Sequence, residues 1–240
     1  MSIKIKNWKL TLLALLLCSL LTSLGVWQLS RATQKKLLLA SYANRGHLPP
    51  LNAQNLAQIS DKRFYRVTLR GVFDNQHTFL LDNKTFYGQI GYEVYTLFKA
   101  QGLSQAILVD RGFIRMESDR STLPTVREIS GTITLTGLLN LPPTYVAFGK
   151  IHDSPIENWP LRIEFIDLKE IAKLSKIKTD TSMEEIYPYI LMMTPNHTAA
   201  YPIEWKIVSV GPERHGAYAL QWFALALTLL ILWAVLNWRS

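Results

Sequence analysis

The chain has 240 residues, with 26 Lys/Arg against 18 Asp/Glu and 48% hydrophobic residues, enough for one ordinary domain and its apolar segments. The formal charge of +8 is not gathered into a basic stretch with interleaved aromatics, which argues against nucleic acid as a partner. The single cysteine, Cys18, excludes an intrachain disulfide and any CxxC or CxxxC motif.

Residues 1–9 form a Lys-bearing tail with Lys4, Lys6 and Lys9, followed by an uncharged run from Leu10 to Ser30. A hydrocarbon core of about 30 Å is crossed by roughly 20 helical residues, so 10–30 is predicted to be a transmembrane helix. The run exceeds the roughly 7–15-residue core of a secretory signal, and no A-x-A-like cleavage site follows it. Leu17 stands before Cys18, where a lipoprotein signal wants a small residue. An uncleaved anchor is therefore expected, with Cys18 a small lipid-facing or helix-packing residue. Gln28 to Asn44 continues as a juxtamembrane helix that stops before Gly46 and Pro49-Pro50.

Strands dominate from there. Phe64 to Phe73 alternates in part, Asp74-Asn75 signals a turn, and His77 to Leu81 reads as the returning strand. Gly91 to Phe98, Ala106 to Ile114, Gly131 to Leu139, Ile186 to Thr194 and Trp205 to Val210 are further predicted strands. Asp167 is the expected N-cap of one short helix, Leu168 to Leu174, and Lys176 to Glu185 the expected flexible loop. A second uncharged run, Gly216 to Trp238, is the second predicted transmembrane helix, with 239–240 beyond it.

The expected fold class is a membrane protein. Two transmembrane helices, N- and C-terminal, flank a β-rich (α+β) extramembrane domain at 31–215, built as a curled antiparallel sheet or small barrel. The Lys-rich tail puts the N-terminus in the cytoplasm, and two spans return Arg239 there, although Arg31, Lys35 and Lys36 weaken that asymmetry. The expectation is a multi-pass protein of the bacterial cell inner membrane, with a periplasmic central domain.

No Gly-rich phosphate loop, GxSxG elbow or HExxH motif occurs, so no enzyme activity is expected. His47, His77, His152 and His197 have no metal-ligand spacing and read as surface or turn histidines. Asp110 and Arg111 are expected to pair across a strand end, with Gly112 as a bulge or turn.

The informative residues lie where the two apolar runs meet the domain. Trp27 and Arg31 share one helix face, and His215, Tyr218 and Trp222 share another. Interface anchoring accounts for Trp27, Arg31, Arg214 and Tyr218. It does not account for Gln28 and Gln221 in apolar helices, or for His215. Such a set suits a flat amphipathic ligand whose ring system enters the apolar zone and whose acid edge meets arginine. Haem fits, with His215 towards the iron; a quinone or lipid head group fits less specifically.

The chain also resembles the Surfeit locus protein 1 family of cytochrome c oxidase assembly factors over nearly its whole length. The resemblance rests on Gly25-Val26-Trp27-Gln28-Leu29-Ser30-Arg31, on Arg66 to Phe73, on Gly88-Gln89-Ile90-Gly91-Tyr92, on Val109-Asp110-Arg111-Gly112-Phe113 and on His215 to Phe223. Glu213-Arg214 and Gln221 depart from the family pattern. The resemblance implies a respiratory-chain assembly factor that helps insert or present haem a to the catalytic subunit of a haem-copper (cytochrome c) oxidase at the membrane surface. Its implied partners are that subunit, the haem a synthesis machinery and membrane lipid. His215 becomes the candidate axial ligand of the haem iron, and Trp27, Gln28, Arg31, Tyr218 and Trp222 become its surroundings. Two alternatives stay open: a membrane-anchored chaperone of oxidase subunits that binds no haem, and a membrane enzyme acting on lipid or porphyrin.

Overall fold

The computed structural model describes residues 7–143, 149, 151–152, 159–176, 185–195 and 197–237. The expected loop at 177–184, the lysines at 4 and 6, and residues 238–240 lie outside the described residues. Two compact units form: one from the chain up to Ser41 together with Lys206 onward, the other from Tyr42 to Trp205.

The first unit is a pair of helices, α1 (Trp8–Gly46, of which residues to Ser41 belong here) and α4 (Pro212–Asn237). Both are long and apolar enough to cross a membrane. At 1.5 Å per residue, the 39 residues of α1 extend about 58 Å, roughly twice a hydrocarbon core. The apolar run and the juxtamembrane helix are therefore one rod. Asn7 caps it, its Oδ1 accepting from the Lys9 and Leu10 amides at 3.1 and 3.3 Å.

Small residues set the pairing of these helices. Thr11, Cys18, Gly25 and Ala32 follow one another at heptad spacing on α1, as do Pro212, Ala219, Ala226 and Trp233 on α4. Trp233 Nε1 donates to Thr11 Oγ1 at 3.1 Å, and Cys18 Sγ lies 3.7 Å from the Ala226 carbonyl oxygen. Gly25 packs against the Phe223 ring, which a Cβ would approach to 2.6 Å. Cys18 is thus a helix-packing residue. In lipid, where apolar side chains gain little by leaving their surroundings, such a seam of small residues lets backbones approach and gain dispersion contacts.

The second unit is a small closed barrel of strands β1 (Arg66–Phe86), β2 (Gln89–Ala100), β3 (Ala106–Arg115), β4 (Ile133–Asn140) and β6 (Ile186–Met193). Neighbours pair in the ring β1–β2–β3–β6–β4–β1. A short strand, β5 (Leu161–Ile163), adds to the far half of β1. Val67, Leu69 and Phe73 of β1 point into the main core with Phe98, Ile107, Val109, Leu135, Leu139, Leu191 and Met193. Helix α3 (Leu168–Lys176) packs on β6, and Asp167 caps it as expected, accepting from the Lys169 amide at 2.9 Å. A one-turn helix, α2 (Ala53–Leu56), was not foreseen; Asn52 caps it, and Leu56 is fully buried in the main core.

Several expectations are corrected. Asp74-Asn75 is not a turn. β1 runs unbroken through it, and the register with β2 slips between Asp74↔Leu97 and Thr78↔Thr96, so the turn-like residues form a bulge. The small barrel is as expected, but its β3–β6 pairing is parallel, as is that of the added β5 with β1, so the sheet is mixed. Trp205 to Val210 is not a strand; Trp205 instead donates its indole N–H to the Met193 carbonyl at 3.0 Å. His77 is not a surface histidine but fully buried, with Nδ1 2.9 Å from Asp74 Oδ2.

Asp110 and Arg111 do not pair. Tyr95 faces Asp110 and Val94 faces Gly112, which leaves Arg111 as the extra residue of a bulge, with Gly112 at φ +101°. Both side chains are buried, as is every residue of β3 from 106 to 113. Arg111 donates to the Ala199 carbonyl, Thr96 Oγ1 and the Arg127 carbonyl, while Asp110 Oδ1 accepts from the Gly112 amide at 2.9 Å. Burial, reinforced by the nearby Glu93 carboxylate, pushes the Asp110 carboxyl well above its ordinary range.

Gly71 is paired on both strand edges at once, with Ile133 of β4 and Ala100 of β2, and a Cβ there would collide with the Lys99 carbonyl oxygen. Gly71→Ala should therefore cost the barrel about 3 kcal/mol, read as a lower midpoint in chemical denaturation of the purified chain. For Asp110 the unfolded chain ionises first, so stability falls as pH rises from about 4 through the raised folded value. Asp110→Asn keeps the acceptor for Gly112 and should flatten that slope. An unchanged pH dependence of stability in the variant would show that Asp110 ionises normally.

Candidate functional site

The candidate site is built by the helix pair alone. Helix α4 begins at Pro212, whose fixed φ and missing N–H suit a first helical position, rather than at Gly216. Arg214 and His215 therefore lie in its first turn. Across the pair, Gln28 of α1 meets His215, with Oε1 and Nδ1 2.7 Å apart. An amide oxygen can only accept, so Nδ1 carries the ring proton and donates. The lone pair is left on Nε2, and both side chains are half-buried. This is the arrangement in which a histidine is oriented for a metal: one nitrogen tethered to an acceptor, the other presented.

The remaining candidates flank this pair. Trp27 and Tyr218 are 54% and 50% exposed, Arg214 is exposed, and Trp222 is half-buried. Arg31 Nη1 donates to Gln34 Oε1 at 2.9 Å, one turn further along α1. Among the described residues none of these five hydrogen-bonds to Gln28 or His215. They can supply aromatic plates and two guanidinium groups around a ligand held on Nε2. Gln221, which sequence reasoning also singled out, is exposed on α4.

The sequence marked Gln28 and His215 separately but did not join them. The signal that could have done so is the matched heptad series of small residues, which fixes the antiparallel register and so brings Gln28 level with His215. Among the described residues no group of three or more His, Cys, Asp or Glu side chains could hold a metal ion. A metal at this site would therefore have to bring most of its own ligands, as the iron of a porphyrin does.

The fold and site define a class of protein: two apolar helices long enough to cross a membrane, one before and one after a small mixed β-barrel in the sequence, with a tethered histidine in the helix pair. The SURF1 family profile matches residues 15–227, and the chain belongs to the SURF1 family. A SURF1-like protein of Rickettsia felis is 28% identical, the match covering 95% of this chain and 96% of that one. A SURF1-like protein of Monosiga brevicollis is 23% identical over 89% of this chain and 82% of its own length. Human Surfeit locus protein 1 is likewise 23% identical, over 88% of this chain and 71% of its own length.

The Gln28 tether predicts a single histidine tautomer. In ligand-free protein at pH 8, the nitrogen shifts of His215 should report a protonated Nδ1 and a bare Nε2. In Gln28→Leu the two tautomers should mix, with Nε2–H gaining population. A wild-type spectrum already dominated by Nε2–H would disprove the tether.

Proposed function

We propose that this chain is a non-enzymatic assembly factor of a haem-copper (cytochrome c) oxidase, which holds haem a at the membrane surface and presents it to the catalytic subunit. The observation that carries the reading is the Gln28–His215 pair, which leaves an imidazole lone pair free beside aromatic and cationic side chains. Membership of the SURF1 family supports an assembly role at the coarser level. The donor set fits the group. His215 Nε2 would hold the iron, Trp27, Tyr218 and Trp222 would pack on the ring system, and Arg31 and Arg214 would pair with propionates. Haem a supplies an iron centre; the chain's own residues orient the imidazole, exclude water from its apolar side and neutralise the acid edge. The proposal includes a bacterial inner-membrane location, with both termini cytoplasmic, the barrel periplasmic, and the haem a synthesis machinery as the donor partner.

Co-expression with a haem a synthesis pathway, followed by an optical spectrum of the purified protein, tests this reading. Wild type should carry Soret and α bands, and His215→Ala should lose or shift them while still inserting and folding. Arg31→Ala and Arg214→Ala should each weaken binding by roughly 10-fold without moving the bands, the loss expected for one charge-assisted hydrogen bond. A colourless wild-type protein that still restores oxidase assembly would favour a chaperone of oxidase subunits that binds no haem. Turnover of porphyrin or lipid by the purified protein would favour an enzyme. Reporter fusions near Pro124 should show export activity and fusions after Ser240 none.

A further inference from the structure

The barrel unit holds a cavity of about 850 Å³ that the proposed haem site does not use. Its walls carry three arginines, Arg111, Arg127 and Arg162, against one acidic residue, Glu128, among the described lining residues. The rest of the lining combines apolar surface, chiefly Trp159, Leu123 and Val126, with small polar groups.

Arg111 makes the floor unusual. It is fully buried, yet among the described residues no carboxylate lies within ion-pair distance of it. Its charge is solvated by neutral groups instead: Nε donates to the Ala199 carbonyl at 3.1 Å, Nη1 to Thr96 Oγ1 at 3.3 Å and Nη2 to the Arg127 carbonyl at 2.7 Å. The Phe73 and Tyr201 rings lie 5.2 and 5.4 Å from the guanidinium carbon. Two of its five N–H groups remain beyond those three bonds. A buried cation balanced only by dipoles projects a positive field into the adjoining cavity, and low-dielectric walls focus it.

The other two arginines sit nearer the mouth. Arg162 Nε is 4.0 Å from Asp82 Oδ2, the same oxygen that Arg120 Nη2 approaches to 2.7 Å, so the single Asp82 carboxylate is divided between two guanidinium groups. Arg127 spends Nη2 on the Thr198 and Ala200 carbonyls, neutral acceptors that leave its charge unbalanced. On the apolar side, Trp159 joins Leu123 and Val126 in the wall. A cavity with an excess of cations and an apolar wall is short of one thing: an anion with an apolar body.

We propose that this cavity binds a small organic oxyanion, a carboxylate or phosphate carried on an apolar, ring-sized body. The oxyanion faces Arg127 and Arg162 over the field of Arg111, and the body lies against Trp159, Leu123 and Val126. The bidentate match between guanidinium and oxyanion favours this class over halide or neutral ligands.

The test uses the full purified chain in a non-ionic detergent, titrated calorimetrically with benzoate, phenyl phosphate, inorganic phosphate and benzylamine. Benzoate or phenyl phosphate should bind with one-to-one stoichiometry, and whichever binds tighter names the oxyanion. Arg162→Gln and Arg127→Gln should each weaken that binding roughly 10-fold, the loss expected for one charge-assisted hydrogen bond. Both variants should retain the near-ultraviolet dichroism of the wild type. His215→Ala should bind as wild type does, which separates this site from the haem proposal. Absence of binding by both aryl anions overturns the proposal, as does equal binding of benzylamine. Affinity unchanged in both arginine variants also overturns it, and equal affinity for inorganic phosphate removes the apolar half of the site.

Discussion

The double use of β1 is the constraint on which the barrel depends. This strand is 21 residues long and is paired with β4 through its first part and with β2 through the rest. At Gly71 both neighbours are engaged at once, so the two edges of the sheet meet there and the ring closes. A strand so long cannot stay straight in a small barrel. Its register with β2 slips twice, between Asp74 and Thr78 and between Leu81 and Lys84, and bulges of this kind bend a strand and increase its twist. Closure leaves few unpaired backbone groups along the ring, and β5 covers part of what the far half of β1 would expose.

The helix pair obeys a different physics. Between apolar helices in lipid the hydrophobic effect gives little net attraction, so contact must come from close packing and from polar groups that find one another. The Gly25–Phe223 contact is the first kind, and the Trp233–Thr11 and Gln28–His215 hydrogen bonds are the second. An amide and an imidazole in such helices are costly unless partnered. The partnership they form here also leaves one imidazole nitrogen unoccupied. The group that stabilises the helix pair is thereby the group that can bind, and the tether fixes its tautomer.

Inside the barrel the buried charges lie on β3, beside its bulge. Residues 106–113 of β3 are buried without a break, so both faces of the strand are covered there. Asp110 and Arg111 are both buried in that stretch and are separately satisfied, with Arg111 the extra residue of the bulge. Arg111 is held by carbonyls, a hydroxyl and aromatic faces, and burial lowers its pKa to about 10, still well above neutrality. Asp110 is held by the Gly112 amide and disfavoured as an anion by burial and by Glu93.

The sequence by itself determined what depends on local pattern. Two uncharged runs of membrane length, the Asp167 cap, the alternating segments of β1, β2 and β4 and the apolar run of β3 were all legible, because burial of a strand face or helix stripe writes its pattern into the chain. Gln28 and His215 were legible as misfits, since polar groups in apolar helices stand out one at a time. Pairings between distant residues were not legible. Asp74-Asn75 has turn chemistry, and only the presence of β2 alongside makes it a bulge in a continuing strand. Trp205 to Val210 has strand composition, but Trp205 spends its donor on the Met193 carbonyl instead. His77 looks like a turn histidine until Asp74 and Trp159 enclose it. The tertiary structure also decided that Gln28 tethers His215 and that Arg111 stands without a carboxylate partner among the described residues. Both outcomes are set by register, between two helices in one case and across a bulge in the other, and register is a property of two segments together that neither encodes alone.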